Sequence, residues 1–554
     1  MTFSSHLSGK KLTFLLMEYV FDYIVIGSGF GGSTSAMRLS EKGYKVLVLE
    51  KGKRWKDKDF PKNNWNIPKF LWAEDLNLFG FQKINVFNEV AILSGAGVGG
   101  GSLVYANTHM FPPDAFFNNP KWSFFKDWKS TLTPYYDKAK MMLGTTPYDA
   151  FGAEDLVLKE VAQDMGREET FGHVDGVGVF IGKPGEEKDP YFKGLGPTRN
   201  ACIKCAACMT GCRDNAKNTL EKNYLWFAEK FGAIIKPLTK VTKIEFEDDL
   251  YKIHTQTTGR WRLNKNKQVF TSKGLVVSAG VLGTTHLLLE QKHIHKTLPK
   301  LSDTLGDNIM TNSEMLIGLS DADRKLNNGV AISAVFEPDD DTHIELCKYD
   351  NKSGLMWFLM MGATDEGTPF QRAYRSIWNT VKHPLKTLKY IFKPGIAERG
   401  LFFLVMQSLE NSMGLKLKKI PLLGENRLSM TNHSKQQIKA YIPQGQKVAK
   451  LFAKKTKATI TNATTETLFN MSSTAHILGG CPMGETEKTG VVNDKFEVHG
   501  YPNMYILDGS IMPCNLGVNP SLTITTLTEY AMDFVPEKPG NTQVSLEKQM
   551  ENIQ

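Results

Sequence analysis

Apolar residues gather into a few runs bounded by small residues. The first, "FDYIVI" at 21–26, is a β-branched run of the kind that forms a strand buried on both faces. "GSGFGG" follows, then "STSAMRLSEKG" with apolar residues at helical spacing, then "KVLVLE", a second strand ending at Glu50. The order predicts a β-α-β unit. Gly27, Gly29 and Gly32 stand in G-x-G-x-x-G spacing within it. The first permits the tight turn, the second lets backbone reach a pyrophosphate, the third lets helix meet strand, and Glu50 is placed to accept ribose hydroxyls. A dinucleotide is expected there rather than a bare turn; FAD and NAD both remain open from this unit alone.

Three later stretches continue the pattern. "GLVVSAGVLGTTHLLL" at 274–289 reads as a buried strand, a small-residue turn and an apolar helix. "YILDGSIMPCNLGVNPSLTITTLTEYAM" at 505–532 reads as a strand, a turn at Asp508 and Gly509, a loop and a helix, and "AHILGGCPMG" at 475–484 sets His476 before a glycine pair. The glycines of "SGAGVGGGSLVYAN" at 94–107 are laid out differently from a β-α-β turn. Their bare amides suit close approach to a large planar or anionic cofactor, the plainer reading being a flexible loop.

With 554 residues the chain exceeds what one hydrophobic core serves, so two or more domains are expected, built in part from discontinuous segments. The composition, 41% apolar and 23% charged, is that of a globular protein. A net charge of +9 carried by scattered Lys and Arg argues against a nucleic-acid groove and for attraction to a negative membrane surface. Seven cysteines are too few for a disulfide scaffold, so reduced thiols and a cytoplasmic or membrane-peripheral location are expected. The apolar "LTFLL" after Lys10 and Lys11 lacks a small-residue cleavage site and runs into the first strand, so it is not read as a secretory signal; Met17 is an alternative start. No run reaches about 18 uninterrupted apolar residues, so no transmembrane helix is expected.

Together these motifs resemble the glucose–methanol–choline (GMC) family of FAD-dependent alcohol oxidoreductases. "GGGSLVYAN", "AKNTLEKNYL", "HILGGC" and "GVNPSLTI" are most similar to its cholesterol oxidase branch, and the resemblance runs from about residue 20 to 535. It implies an α/β fold of α+β character, a Rossmann-like FAD-binding domain with an inserted sheet-plus-helices substrate domain. The implied division is 18–320 and 473–538 for FAD and 321–472 for substrate, with 60–90 as a lid loop at the border. The implied activity is oxidation of a CH–OH group, the 3-hydroxyl of a steroid or another lipid alcohol, by hydride transfer to flavin.

On the same resemblance His476 is the base or hydroxyl orienter, Asn519 the amide that holds the substrate oxygen and touches the flavin, and Glu345 the carboxylate that shuttles a proton when a double bond migrates. The residues by themselves also allow Asn519 as a helix N-cap and Glu345 as a solvated strand-face acid. For FAD the resemblance carries over Gly27, Gly29, Gly32, Glu50, Gly99, Gly100, Gly101, Ser102, Asp508, Gly509 and Asn519, with Val241 contacting adenine through its backbone. One departure stands out: the family has Asn directly after "GGGSLV", whereas this chain has Tyr105 there and Asn107 two residues later. The resemblance then implies Asn107 as the residue that takes that place.

Cys202, Cys205, Cys208 and Cys212 form a C-x2-C-x2-C-x3-C run, followed by Arg213 where ferredoxins have Pro. An iron–sulfur cluster, a zinc site and structural or disulfide-capable thiols all remain open. A cluster beside the flavin would favour a dehydrogenase passing electrons to a protein or quinone over an oxidase using oxygen. A third reading is a flavin-containing lipid-binding protein without turnover. Segment 370–406 interleaves Arg372, Arg375, Lys382, Lys386, Lys389 and Lys393 with Trp378, Tyr390, Phe392, Phe402 and Phe403. That suits either a membrane-surface element at the mouth of a lipid pocket or an amphipathic helix covering the substrate domain.

Overall fold

A computed structural model describes residues 20–259, 265–382, 393–419, 426–432 and 440–553. The start of the chain, with Lys10, Lys11 and Met17, lies outside the described residues, as do Lys386, Lys389, Tyr390 and Phe392.

The β-branched runs form neighbouring strands of one sheet. Val20–Ile26 lies between Val46–Leu49 and Gln268–Val277, all parallel, with Ile234–Lys236 and Met504–Ile506 joining in parallel outside them. Ile24, Val25, Leu47, Val48, Val276 and Val277 are buried, which is why these strands are apolar throughout rather than alternating. An antiparallel hairpin, Thr239–Glu247 with Leu250–Thr257, extends the sheet. Helix α1 (Phe30–Glu41) connects the first two strands, and helix α2 (Val281–Glu290) follows the Gln268–Val277 strand.

The second sheet is antiparallel, in the order Met360–Gly362, Thr459–Ala463, Met315–Ser320, Leu401–Gln407, Thr342–Cys347, Ala334–Asp339, Gly172–His173. Helix α3 (Pro369–Lys382) and helix α4 (Thr464–Phe469) pack together at its Met360–Gly362 edge. Helix α5 (Ser521–Asp533) returns to α1, where Arg38 donates from Nε and Nη2 to the two oxygens of buried Glu529 (2.8 and 3.0 Å). The end of the chain is thereby tied to its first helix.

The stretch 60–90, expected to be a lid loop, is instead part of a third sheet with strands Leu71–Ala73, Leu78–Phe79 and Gln82–Val86 beside Val90–Gly95. Its aromatics are the reason. Phe81 packs edge-on to Trp55, Phe60 and Phe70 at 5.3 to 5.5 Å, and all four are buried, a burial an opening loop would forfeit. The short strand Ser472–Thr474 pairs in parallel with Val90–Gly95 and delivers the chain to His476. Among the described residues no helix is long and apolar enough to cross a membrane.

Candidate active site

The tight turn ahead of α1 has the glycine requirements its spacing predicts. Gly27 has φ +96°, and a Cβ there would collide with the Ser278 carbonyl; a Cβ on Gly32 would collide with the carbonyl of Gly27. Gly31, not among the expected residues, is equally constrained by the Leu507 carbonyl. Gly29 differs: beyond its own chain neighbours, no atom of the described residues lies within 4 Å of its Cβ position. Space therefore opens over the N-terminus of α1, where backbone N–H groups and the helix dipole favour an anion. Glu50 accepts from Ser28 N (3.1 Å), Ser28 Oγ (2.7 Å) and Gly52 N (2.7 Å). A carboxylate offers about four acceptor sites, so capacity for a ribose hydroxyl remains. The Val241 strand comes alongside: Thr239 N donates to the Glu50 carbonyl (2.8 Å), and the ladder register shifts between Val241 and Lys243.

The second glycine cluster lies directly on this turn rather than forming a free loop. Gly99 N donates to Ser28 Oγ (3.2 Å), and a Cβ on Gly100 would stand 2.7 Å from the Gly29 Cα. Gly100–Leu103 is a short 3-10 turn, fastened by Ser102 Oγ, which donates to the Gly99 carbonyl (2.7 Å) and accepts from Leu220 N (3.1 Å). Gly101 packs against Phe30. Beyond it Tyr105 OH donates to the Asn218 carbonyl (2.8 Å), so this side chain is structural. Asn107 is fully buried, and neither its amide oxygen nor its amide nitrogen has a partner; His109 Nε2 is also buried without one. Such buried orphans call for a partner, and beside the glycine turn a bound group is one that would supply it.

His476 follows the Ser472–Thr474 strand and points its Nδ1 at Glu314, to which it is hydrogen-bonded at short range. Glu314 is fully buried and also accepts from Ala475 N (2.8 Å). Burial alone would lower the imidazole pKa, but the Glu314 carboxylate, with Glu345 assisting, reverses that and holds it above its ordinary value. Glu345 is fully buried and accepts from Asn519 Nδ2 (3.2 Å). The amide oxygen of Asn519 is buried without a partner, and the N-cap position of α5 falls to Pro520. Glu345 is thus no solvated strand-face acid and Asn519 no helix cap.

Sequence reasoning missed Glu314 and His343. His343 lies against Glu345 (Nε2 to Oε1, 3.3 Å) and near Glu337 (Nδ1 to Oε1, 3.6 Å). Burial disfavours its charge, yet the two carboxylates outweigh burial and lift its pKa to about 9. A cationic His343 balances the buried Glu345 charge.

Asp508 is committed to the fold. Its carboxylate accepts from Gly280 N (2.9 Å), Thr284 Oγ1 (2.5 Å) and Ser510 N (2.8 Å), joining the start of α2 to the Gly509–Ile511 turn. The four clustered cysteines are not gathered into a ligand set: among the described residues no three His, Cys, Asp or Glu side chains are arranged to hold a metal ion. Burial pushes the Cys202 thiol up to about 11 and raises Cys205 and Cys208, which keeps them as neutral thiols. Buried Lys217 joins this run to the glycine cluster, donating to the carbonyls of Cys208 (2.8 Å) and Leu103 (3.2 Å).

The GMC oxidoreductase family matches residues 21–308 with its N-terminal part and 425–528 with its C-terminal part. A cholesterol oxidase of Acinetobacter baumannii is 40% identical, covering 94% of this chain and 95% of its own. A cholesterol oxidase of Mycobacterium tuberculosis (strain ATCC 25618 / H37Rv) is 41% identical, covering 94% and 92%. Among solved structures, pyridoxine 4-oxidase from Mesorbium loti shares the fold at a TM-score of 0.58 and 14% identity, over 93% of this chain and 99% of its own. The chain belongs to the GMC oxidoreductase family: it is an FAD-dependent alcohol oxidoreductase with a Rossmann-like FAD-binding fold.

Proposed function

We propose that this enzyme oxidises the 3-hydroxyl of a steroid, or of a lipid alcohol of similar bulk, with oxygen as final acceptor. The observation that carries the reading is the His476–Glu314 pair, with the Glu345–Asn519 pair near enough to bias its charge. The relatives named cholesterol oxidases, 40% and 41% identical, support the substrate class.

The residues present fit FAD. Gly29 leaves open space at the start of α1, Gly100 comes close to it, and Asn107 and Asn519 keep buried amide atoms for a partner. Gly27, Gly29, Gly32 and the backbone from Gly99 to Ser102 would hold the diphosphate, Glu50 and Val241 the ribose and adenine, and Asn107 and Asn519 the ring. Asp508 and Gly509 shape the turn beneath. In this reading residues 18–320 and 473–538 carry the cofactor and 321–472 cover it, joined in the covering sheet by the Gly172–His173 and Met315–Ser320 strands. When bound, FAD supplies the acceptor for the carbon-bound hydrogen.

The chain's own residues handle the proton. With its proton on Nδ1, donated to Glu314, His476 keeps the Nε2 lone pair for the substrate hydroxyl, and the carboxylate raises its basicity. Asn519 orients the substrate oxygen through its amide. Glu345, its charge balanced by His343, moves a proton between carbons of the steroid when the double bond migrates. All seven cysteines are free thiols, which suits the reducing cytoplasm.

The test is an absorption spectrum of the purified protein before and after anaerobic addition of a 3-hydroxysteroid. Loss of the flavin band, followed by its return on admitting oxygen, is the expected course. A band that survives the steroid refutes the substrate, and one that stays bleached in oxygen refutes the oxidase.

A further inference from the structure

Helix α3 is folded with its faces reversed. On one side Phe370 (80% exposed), Tyr374, Ile377, Trp378 (54%) and Val381 (64%) recur at the spacing of a single helical face, and all are open to solvent. On the opposite side Arg372 and Ser376 are buried. Arg372 is paired with buried Glu466 on α4, donates to Thr364 Oγ1 (3.3 Å) and lies 4.6 Å from the centre of the Tyr441 ring. The buried pair fixes the helix about its axis. Turning the apolar face inward would strip Glu466 of its cation inside the protein.

Further apolar side chains stand exposed on the neighbouring elements. Phe358 and Leu359 immediately precede the Met360–Gly362 strand that α3 packs on, Trp65 packs edge-on to Phe358 at 5.2 Å, and Phe469 ends α4. An apolar surface of this extent marks an interaction site. Charge identifies the partner. Between Pro369 and Gly395 the sequence carries six Lys and Arg and no Asp or Glu. Arg372 is paired with Glu466 and Lys393 with Asp321 (2.6 Å), while Arg375 and Lys382 stand exposed on α3, Arg375 donating to the backbone carbonyl of Glu366 (3.1 Å) rather than to a carboxylate. Aromatic side chains on one face with cations beside them match the headgroup–acyl boundary of an anionic bilayer.

We propose that α3 is an interfacial anchor that seats the enzyme on an anionic phospholipid surface by inserting Phe370, Tyr374, Ile377, Trp378 and Val381. The inference goes beyond the substrate reading and does not depend on it. It links docking to the active site, because α3 is fastened through Glu466 to α4, which leads within a few residues into the Ser472–Thr474 strand and His476.

Flotation of the full chain with phosphatidylcholine vesicles, with and without phosphatidylglycerol, tests this. The wild type is expected to float with the anionic vesicles, and the double variant Phe370→Asp/Trp378→Asp to lose about tenfold or more of its vesicle partition. Turnover of detergent-dispersed alcohol by that variant should be unchanged. Arg375→Glu/Lys382→Glu should abolish the preference for phosphatidylglycerol; an unchanged preference overturns the headgroup assignment. A wild type that does not float, as when another part of the chain or a second copy covers the face, overturns the proposal. So does a double variant that floats as well as wild type, or one that only turns a dimer into a monomer. Flotation reads no chemistry, so its failure is distinguishable from failure of the steroid assay.

Discussion

Replacing Glu314 with Gln keeps the shape beneath His476 and removes the charge. Glu314 is fully buried, accepts from Ala475 N (2.8 Å) and is the hydrogen-bond partner of His476 Nδ1. A charge-assisted hydrogen bond contributes about 1.5–3 kcal/mol. At about 1.36 kcal/mol per unit, its loss lowers the His476 pKa by about one to two units. The sign follows from the wild-type state: His476 stands above its ordinary 6.5, and a base is inactive once protonated. Wild-type flavin reduction should therefore fall off as pH drops through a value above 6.5, and the variant should hold its limiting rate to a pH about one to two units lower. That limiting rate should itself be about 10²–10⁴-fold lower, because a Gln amide donating to Nδ1 favours the tautomer whose Nε2 is already protonated. Anaerobic stopped-flow reduction between about pH 5 and pH 9 reads both quantities. An acid limb at the same pH in both proteins would refute the pairing argument, whatever happens to the rate.

Gly29→Trp fills the open space over the start of α1, where beyond the chain neighbours no atom of the described residues lies within 4 Å of the Cβ position. The variant should fold, with native-like circular dichroism and a melting temperature below that of the flavin-loaded wild type, yet purify without flavin absorbance; a normal flavin-to-protein ratio would remove the phosphate-site assignment. Glu345→Gln should leave ketone formation within about tenfold of wild type but stop double-bond migration, read by chromatography of the steroid products. Migration that persists would release Glu345 from the shuttle role.

The turn ahead of α1 was legible because its determinants are local: the glycines that must lack a Cβ stand within six residues of one another, between runs that pair directly. His476 was legible through its motif, but its partner was not. In "TNSEMLIGLS" Glu314 is one acid before an apolar run, 162 residues from His476, and the two meet because their segments lie side by side: Ser472 Oγ donates to the Glu314 carbonyl (2.7 Å), and Met310 and Leu478 exchange backbone hydrogen bonds (2.8 and 2.9 Å). The stretch 60–90 read as a loop because turn residues interrupt its short strands, while the ring packing that holds it is long-range. Cysteine spacing likewise gives distance along the chain, whereas ligation needs convergence in space, which these thiols lack.

For α3 the sequence alone determines that aromatic and cationic residues share a helix, because 3.6-residue periodicity is a property of the local chain. Which face turns inward is decided by Glu466, a buried acid from a segment far along the chain that must be neutralised, and Arg372 goes to it. The same division holds at the active site. Local pattern determines which residues can do chemistry; the meeting of distant strands decides which carboxylate stands beside which imidazole, and that proximity sets their protonation.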